Sequence, residues 1–178
     1  IADTLVYCHQ TTATTEYLKE CMGTALLDLM KEKPIEKISI EEMTAKADVG
    51  RSTYFRYFKN KDEVLAFKIL CLWNRFMQEN GDAASLPDSP AFIRFFFEFC
   101  LSIREISDML YSCGHENAIL MAYLQIAGVD TSGNCDDVKA YYVSNAAAYA
   151  LYGMANAWIL RGYKETPAQM EQIARDNT

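Results

Sequence analysis

Residues 38–61 read ISIEEMTAKADVGRSTYFRYFKNK, and this stretch decides the fold. Ser39 and Glu42 have the spacing of a capping box, which marks the start of a helix. The tripeptide DVG at 48–50 then favours a tight turn, because aspartate and glycine are both turn formers. Two short helices joined by such a turn are typical of a helix-turn-helix head. We expect the two helices at residues 40–47 and 51–57.

The chain before this stretch predicts a longer first helix at about residues 15–32. Apolar residues recur there at the spacing of one helix face, from Leu18 to Met30. Pro34 ends the pattern, because the residue before a proline is disfavoured in a helix. Residues 1–14 show no clear period. We therefore assign residues 1–60 to the head.

The chain after the head predicts a larger helical domain. It holds long apolar runs and few turn formers, and the whole sequence contains only 4 Pro and 8 Gly. Breaks are expected at residues 80–90 and at a polar loop, 128–136. We expect an all-α fold of eight to nine helices: a three-helix head and a domain at 61–178. The helix at 61–79 connects the two.

The second short helix of the head has the chemistry of a DNA reader. Affinity for duplex DNA needs cations and hydroxyl donors near phosphates, and specificity needs side chains that reach base edges. Tyr54 and Phe58, four residues apart, can anchor the helix to the core. The side chains then expected to point outward are Arg51, Ser52, Thr53 and Arg56.

Residues 38–65 closely resemble the DNA-binding head of the TetR (tetracycline-repressor-like) family. Members typically show I-x-x-I-A-x-x-A-G-V-S in the second helix, followed by x-x-T-[FL]-Y-x-[HY]-F-x-[SN]-K-x-x-L. This chain departs at two places. Gly50 stands where a serine cap is usual, and Tyr54 and Phe55 reverse the usual order, so the hydroxyl that commonly contacts phosphate is missing at 55.

The resemblance implies a role for each matching residue. The base-reading positions are Arg51, Ser52 and Arg56. The positions that usually touch phosphates are Thr53, Phe55, Tyr57 and Lys61. Ser39 caps the second helix and is also placed to contact the DNA backbone.

The resemblance further implies a ligand-responsive homodimer that regulates transcription, more often as a repressor. Such a dimer binds double-stranded DNA at an inverted-repeat operator. The alternative is a TetR-like protein that acts mainly as a protein-interaction module or co-activator without strong operator binding. An enzyme has little support, because the sequence shows no nucleophile elbow, phosphate-binding glycine loop or HExxH motif. No catalytic residue and no cofactor are predicted.

A dimer interface is predicted on the long helix near the C-terminus. Residues 141–160 contain no charged residue, and several small side chains there would let two helices approach closely. We expect this helix to be buried on every side, either in a dimer or as the central helix of a monomer. The candidate interface residues are Ala140, Ala147, Ala148, Gly153, Ala155 and Ala157.

An effector pocket is predicted in the larger domain, from aromatic side chains with a few polar tips and mobile methionines. The candidates are Phe95, Phe99, Met109, Tyr111, Met121, Tyr123, Tyr149, Tyr152 and Trp158. The same stripes also fit an ordinary core, and we favour core for most of them. With only two histidines and no ligand-like pairing, no metal site is predicted.

The net charge of −7 is unevenly distributed. Residues 1–78 hold 11 basic and 11 acidic side chains, whereas residues 79–178 hold 6 and 13. The segment 51–61 carries four cations and no acid, so positive charge is concentrated at the reader. The six scattered cysteines favour reduced thiols and a cytoplasmic protein. The polar content of residues 141–160 argues against a membrane span.

Overall fold

The computed structural model describes residues 2–81, 89, 91–129 and 136–176, with side chains from residue 14 onward. Within these residues the fold is all-α, as the sequence predicts, with nine α-helices and one 3-10 turn at Ile35–Lys37. Most of the expected break at 80–90 and most of the loop at 128–136 lie outside the described residues. The helices are α1 (Ala2–Met30), α2 (Ile40–Lys46), α3 (Arg51–Tyr57), α4 (Lys61–Asn80), α5 (Phe92–Ser102), α6 (Arg104–Ser112), α7 (Asn117–Ile126), α8 (Val138–Leu160) and α9 (Pro167–Asp176).

The chain divides into two compact units, Ile1–Cys71 and Leu72–Thr178. The division falls within α4, later than the domain boundary expected after residue 60. Helix α1 also begins at Ala2, well before the expected start near residue 15. Residues 2–14 contain no proline or glycine, so nothing in the sequence interrupts the helix, although the segment lacks an apolar period.

The first unit has its core where α1, α2, α3 and the beginning of α4 present apolar faces. Met22 and Leu26 of α1 are fully buried, as are Met43 of α2 and Val64 of α4. Burial of side chains of this size stabilises a fold by roughly 1.5–3 kcal/mol each. The short helices α2 and α3 therefore depend on this core, since isolated helices of seven residues are not stable in water.

The second unit is built on a cluster of aromatic rings. Trp73 of α4 makes edge and tilted contacts with four phenylalanines of α5, at ring-centroid distances of 5.1–6.3 Å. Phe97 packs edge-on against Trp158 of α8 at 5.1 Å. Helix α9 packs on α5, and its start is capped reciprocally by Thr166 and Gln169.

Within this single chain, helix α8 is buried on one side only, so the expectation that it is buried on every side is not met without a partner. Trp158 and Ile159 are buried, but one side of the helix is open in this chain: Tyr142 is 68 % exposed and Leu160 is 70 % exposed. An uncharged sequence shows no apolar stripe, so its periodicity could not distinguish an inward face from an outward one. Within the described residues, no helix combines the length and the apolar character needed to cross a membrane.

Candidate nucleic-acid interface

The turn between α2 and α3 is fixed by a small set of hydrogen bonds. Ser39 Oγ accepts from the backbone N–H of Glu42 at 3.0 Å, which confirms the capping box. Asp48 adopts a left-handed backbone with φ of 54°, a conformation that aspartate tolerates better than most residues. The N–H of Val49 then donates to Thr44 O at 2.9 Å. Gly50 starts α3 without a side-chain cap.

Helix α3, the reader helix, is held in place by two aromatic anchors. Tyr54 and Phe58 are buried, and their ring centroids lie 6.1 Å apart. Phe58 also meets Phe67 of α4 edge-on at 6.1 Å. These contacts fix the rotation of the reader helix about its own axis, and they therefore also determine which side chains point away from the core.

The outward face of the reader helix carries the residues that the sequence places there. Arg51, Ser52 and Arg56 are exposed, and Thr53 is half-buried. One Nη of Arg51 lies 4.0 Å from a carboxylate oxygen of Glu41 on α2. Both side chains are largely exposed, so this pair adds little stability, and it leaves most of the guanidinium fork open to solvent.

Tyr57 lies at the edge of this face and is surrounded by positive charge. Hydrogen bonds with Thr15 and Arg56, together with the charges of Arg56 and Lys19, lower the pKa of its phenol. The Lys19 ammonium is 5.8 Å from the Tyr57 ring centroid and 3.9 Å from that of Phe67. Thr15 and Lys19 were not among the residues expected at this surface. Their spacing of four residues on one helix face was the available signal.

Lys61, expected at a phosphate, has an intramolecular partner. Its ammonium donates a hydrogen bond to the carbonyl of Ile35 at 2.7 Å and is half-buried. The ammonium has three N–H donors, so two remain for another acceptor. The start of α4 is further capped by Asn60 Oδ1, which accepts from the N–H of Glu63 at 2.9 Å. Lys61 therefore connects the 3-10 turn to α4 as well as adding charge at this surface.

The candidate pocket residues divide into packed rings and polar side chains. Phe95, Phe99 and Trp158 are buried in the aromatic core, and the indole N–H of Trp158 donates to Glu165 O at 3.0 Å. Met109 and Met121 are half-buried. Tyr149 is 51 % exposed and does not face the interior. The rings of Phe95 and Phe99 therefore serve as core, which is the reading that the sequence favoured for most of the set.

Two of the polar candidates, Tyr111 and Tyr123, each form a hydrogen-bonded pair in the second unit. Tyr111 OH donates to Asn156 Oδ1 at 2.6 Å, and Tyr123 OH lies 3.2 Å from Cys100 Sγ. Burial raises the pKa of the Tyr111 phenol, and the neighbouring Tyr152 raises it to a smaller extent. Burial also raises the pKa of Tyr123 well above its usual value. These phenols are neutral donors and acceptors at physiological pH.

The six candidate interface residues do not share one face of α8. Ala140, Ala147, Gly153 and Ala157 are exposed, whereas Ala148 and Ala155 are buried within the chain. Seven residues separate the two buried alanines, which is nearly two full turns, so both face the chain's own interior. These two are therefore corrected to core positions. Among the described residues, no cluster of three or more His, Cys, Asp or Glu side chains is arranged to bind a metal ion.

Comparison with known proteins identifies the head. The family model described as bacterial regulatory proteins, tetR family, matches residues 24–66, which run from the second half of α1 into α4. No curated protein and no solved structure matches the chain. The match covers the helix-turn-helix whose geometry is described above, with its cap, turn and reader helix. The head of this chain is therefore similar to the head of the tetR family of bacterial regulatory proteins, and the match supports a DNA-binding transcription regulator.

Proposed function

We propose that this DNA-binding regulator acts as a ligand-responsive homodimer on an inverted-repeat operator, more often as a repressor, and that it works in the cytoplasm. The observation that carries the proposal is the two-sided reader helix. Tyr54 and Phe58 hold one side against the core, while Arg51, Ser52 and Arg56 are exposed on the other. Guanidinium groups can bind guanine edges in the major groove with two hydrogen bonds.

Support for a homodimer comes from the outward side of α8. This surface is apolar and bears no charge, because no charged residue lies between Lys139 and Arg161. Exposed apolar surfaces of this kind normally mark an interface. A two-fold dimer presents two reader helices, and spacing them one DNA turn apart, about 34–36 Å, makes the operator an inverted repeat.

Support for a small-molecule effector comes from two neutral hydrogen-bonded pairs, Tyr111–Asn156 and Tyr123–Cys100. Their hydroxyl and amide groups lie among aromatic side chains, a combination typical of sites that bind small, largely apolar molecules. Both pairs belong to the second unit, so a ligand there would act on the DNA-binding head by favouring one conformation of the whole protein.

The experiment that tests the proposal is selection of random duplex DNA on the purified protein at two salt concentrations. Enrichment of an inverted repeat, with affinity that falls as salt rises, is the expected result. Binding that is weak, salt-sensitive and blind to sequence contradicts operator recognition. Such a result, combined with retained dimerisation, favours the protein-interaction module instead.

The dimer surface is tested separately by Ala147→Glu. This exposed alanine lies on the outward side of α8, and a buried carboxylate without a partner is strongly unfavourable. We expect monomers in analytical ultracentrifugation. The matched control is Ala45→Glu, which places the same charge on an exposed alanine of α2. A dimer that persists in the Ala147 variant places the interface elsewhere.

A further inference from the structure

We propose that Phe55 recognises the C5-methyl group of a thymine in the major groove, so that each half of the operator requires a thymine at that position. The inference rests on the proposed function, because it needs a sequence-specific site. It assigns a base-reading role to a residue whose expected role was a phosphate contact. A phenyl ring has no O–H or N–H donor for a phosphate oxygen.

The exposure of Phe55 needs an explanation. The side chain is 62 % exposed, although phenylalanine is one of the residues most often buried. It lies in the middle of the reader helix, one turn after the exposed Arg51 and three residues after the exposed Ser52. Residues three and four apart share a helix face, so the ring belongs to the surface that carries the base-reading candidates.

The position of the ring is also restricted before DNA binds. Phe55 meets the buried Tyr54 ring edge-on, with 5.2 Å between centroids and planes at 83°. Tyr54 is in turn fixed by Phe58. An aromatic side chain has only two rotatable bonds, so ordering it at an interface costs less entropy than ordering a lysine or an arginine.

The chemistry of the major groove leaves one suitable target for such a ring. Base edges there present hydrogen-bond donors and acceptors, and thymine adds an apolar methyl group. A phenyl ring against donors and acceptors would leave them desolvated and unpaired, at a cost in affinity. Against the methyl group it buries apolar surface on both sides. Thymine is therefore the base that Phe55 favours.

The test replaces thymine by uracil, which lacks only the methyl group. Each thymine of the selected operator is substituted in turn by deoxyuridine, and the Kd of the full-length protein is measured. We expect one position per half-site where the substitution weakens binding about fourfold, the effect of exposing one buried methyl group. In Phe55→Ala the loss at that position is expected to disappear, while the other positions behave as in the wild type. Phe55→Tyr keeps the ring and retains the sensitivity.

The outcomes separate this inference from the proposed function. If no inverted repeat is selected, the proposed function fails, and the inference fails with it. If an operator is selected but no uracil substitution weakens binding, only the inference is overturned. The same holds if the sensitive position remains equally sensitive in Phe55→Ala. Circular dichroism of the Phe55 variants checks that an exposed substitution leaves the helical content unchanged.

Discussion

At Gly23 of α1, the neighbouring Lys68 of α4 leaves no room for a side chain. A Cβ built at this glycine lies 2.6 Å from Lys68 Cβ, closer than real Cβ atoms approach other atoms, and 3.2 Å from Lys68 Cγ, which is also tight. The Lys68 stem is buried, and its ammonium is paired with Glu20 at 2.7 Å. Because Cβ is attached directly to the backbone, the clash in Gly23→Ala can be relieved only by moving α1 and α4 apart.

The size of the effect follows from two opposing contributions. Overpacking a close contact costs about 1–3 kcal/mol, whereas replacing a helical glycine by alanine gains about 1 kcal/mol. Strain on the Lys68–Glu20 pair adds to the cost. We therefore expect Gly23→Ala to lower the free energy of unfolding by about 1–2 kcal/mol.

Urea unfolding followed by far-ultraviolet circular dichroism measures this change. The matched control is Thr24→Ala in the same turn of α1. Thr24 is exposed, so the control is expected to gain a few tenths of a kcal/mol from helix propensity. If Gly23→Ala is as stable as the Thr24 variant, α1 and α4 do not approach as closely as described, and the reasoning is refuted.

Three further predictions concern single side chains. Arg56→Ala is expected to weaken binding to the selected operator by about 1–3 kcal/mol more than binding to random duplex; equal losses in competition assays would contradict a base-reading role. Lys61→Met removes the bond to Ile35 O and is expected to cost about 1 kcal/mol in urea unfolding, with Lys59→Met as an unaffected control. Burial raises the pKa of the Cys100 thiol to about 12, so its thiolate is scarce at pH 8. We therefore expect alkylation of Cys100 only in denaturant, as detected by peptide mapping. If the native thiol is modified at the rate of an exposed thiol, α5 opens in the native protein.

The head could be predicted closely from the sequence because its signals are local. The Ser39–Glu42 capping box and the turn at 48–50 each require only neighbouring residues, and α2 and α3 begin where these signals place them. The anchors Tyr54 and Phe58 followed from their helical spacing. The candidate DNA-contacting side chains are also local in sequence, since most of them lie on the short helix α3.

The features that the sequence did not predict depend on contacts between distant segments. The hydrogen bond from Lys61 to Ile35 O joins residues 26 positions apart, and nothing near Lys61 distinguishes it from a solvated lysine. The burial of Ala148 and Ala155 depends on which side of α8 meets the rest of the second unit. In a helix of alanine and tyrosine without charges, both sides look equally apolar.

The acidic excess of the chain is compatible with DNA binding because electrostatic repulsion between distant acids and phosphates is largely screened by salt, whereas attraction by nearby cations is screened less. At physiological ionic strength the Debye length is about 8 Å, so acids farther than this from a phosphate repel it weakly. Close to the reader helix, positive charge dominates, because segment 51–61 has four cations and no acid, and Arg51 lies 4.0 Å from the exposed carboxylate of Glu41. Few cations also mean few released counterions, and each phosphate contact contributes only about 0.9 to the slope of log K against log salt. We therefore expect weak binding to random DNA, with a larger share of the operator affinity coming from base contacts such as the one proposed for Phe55.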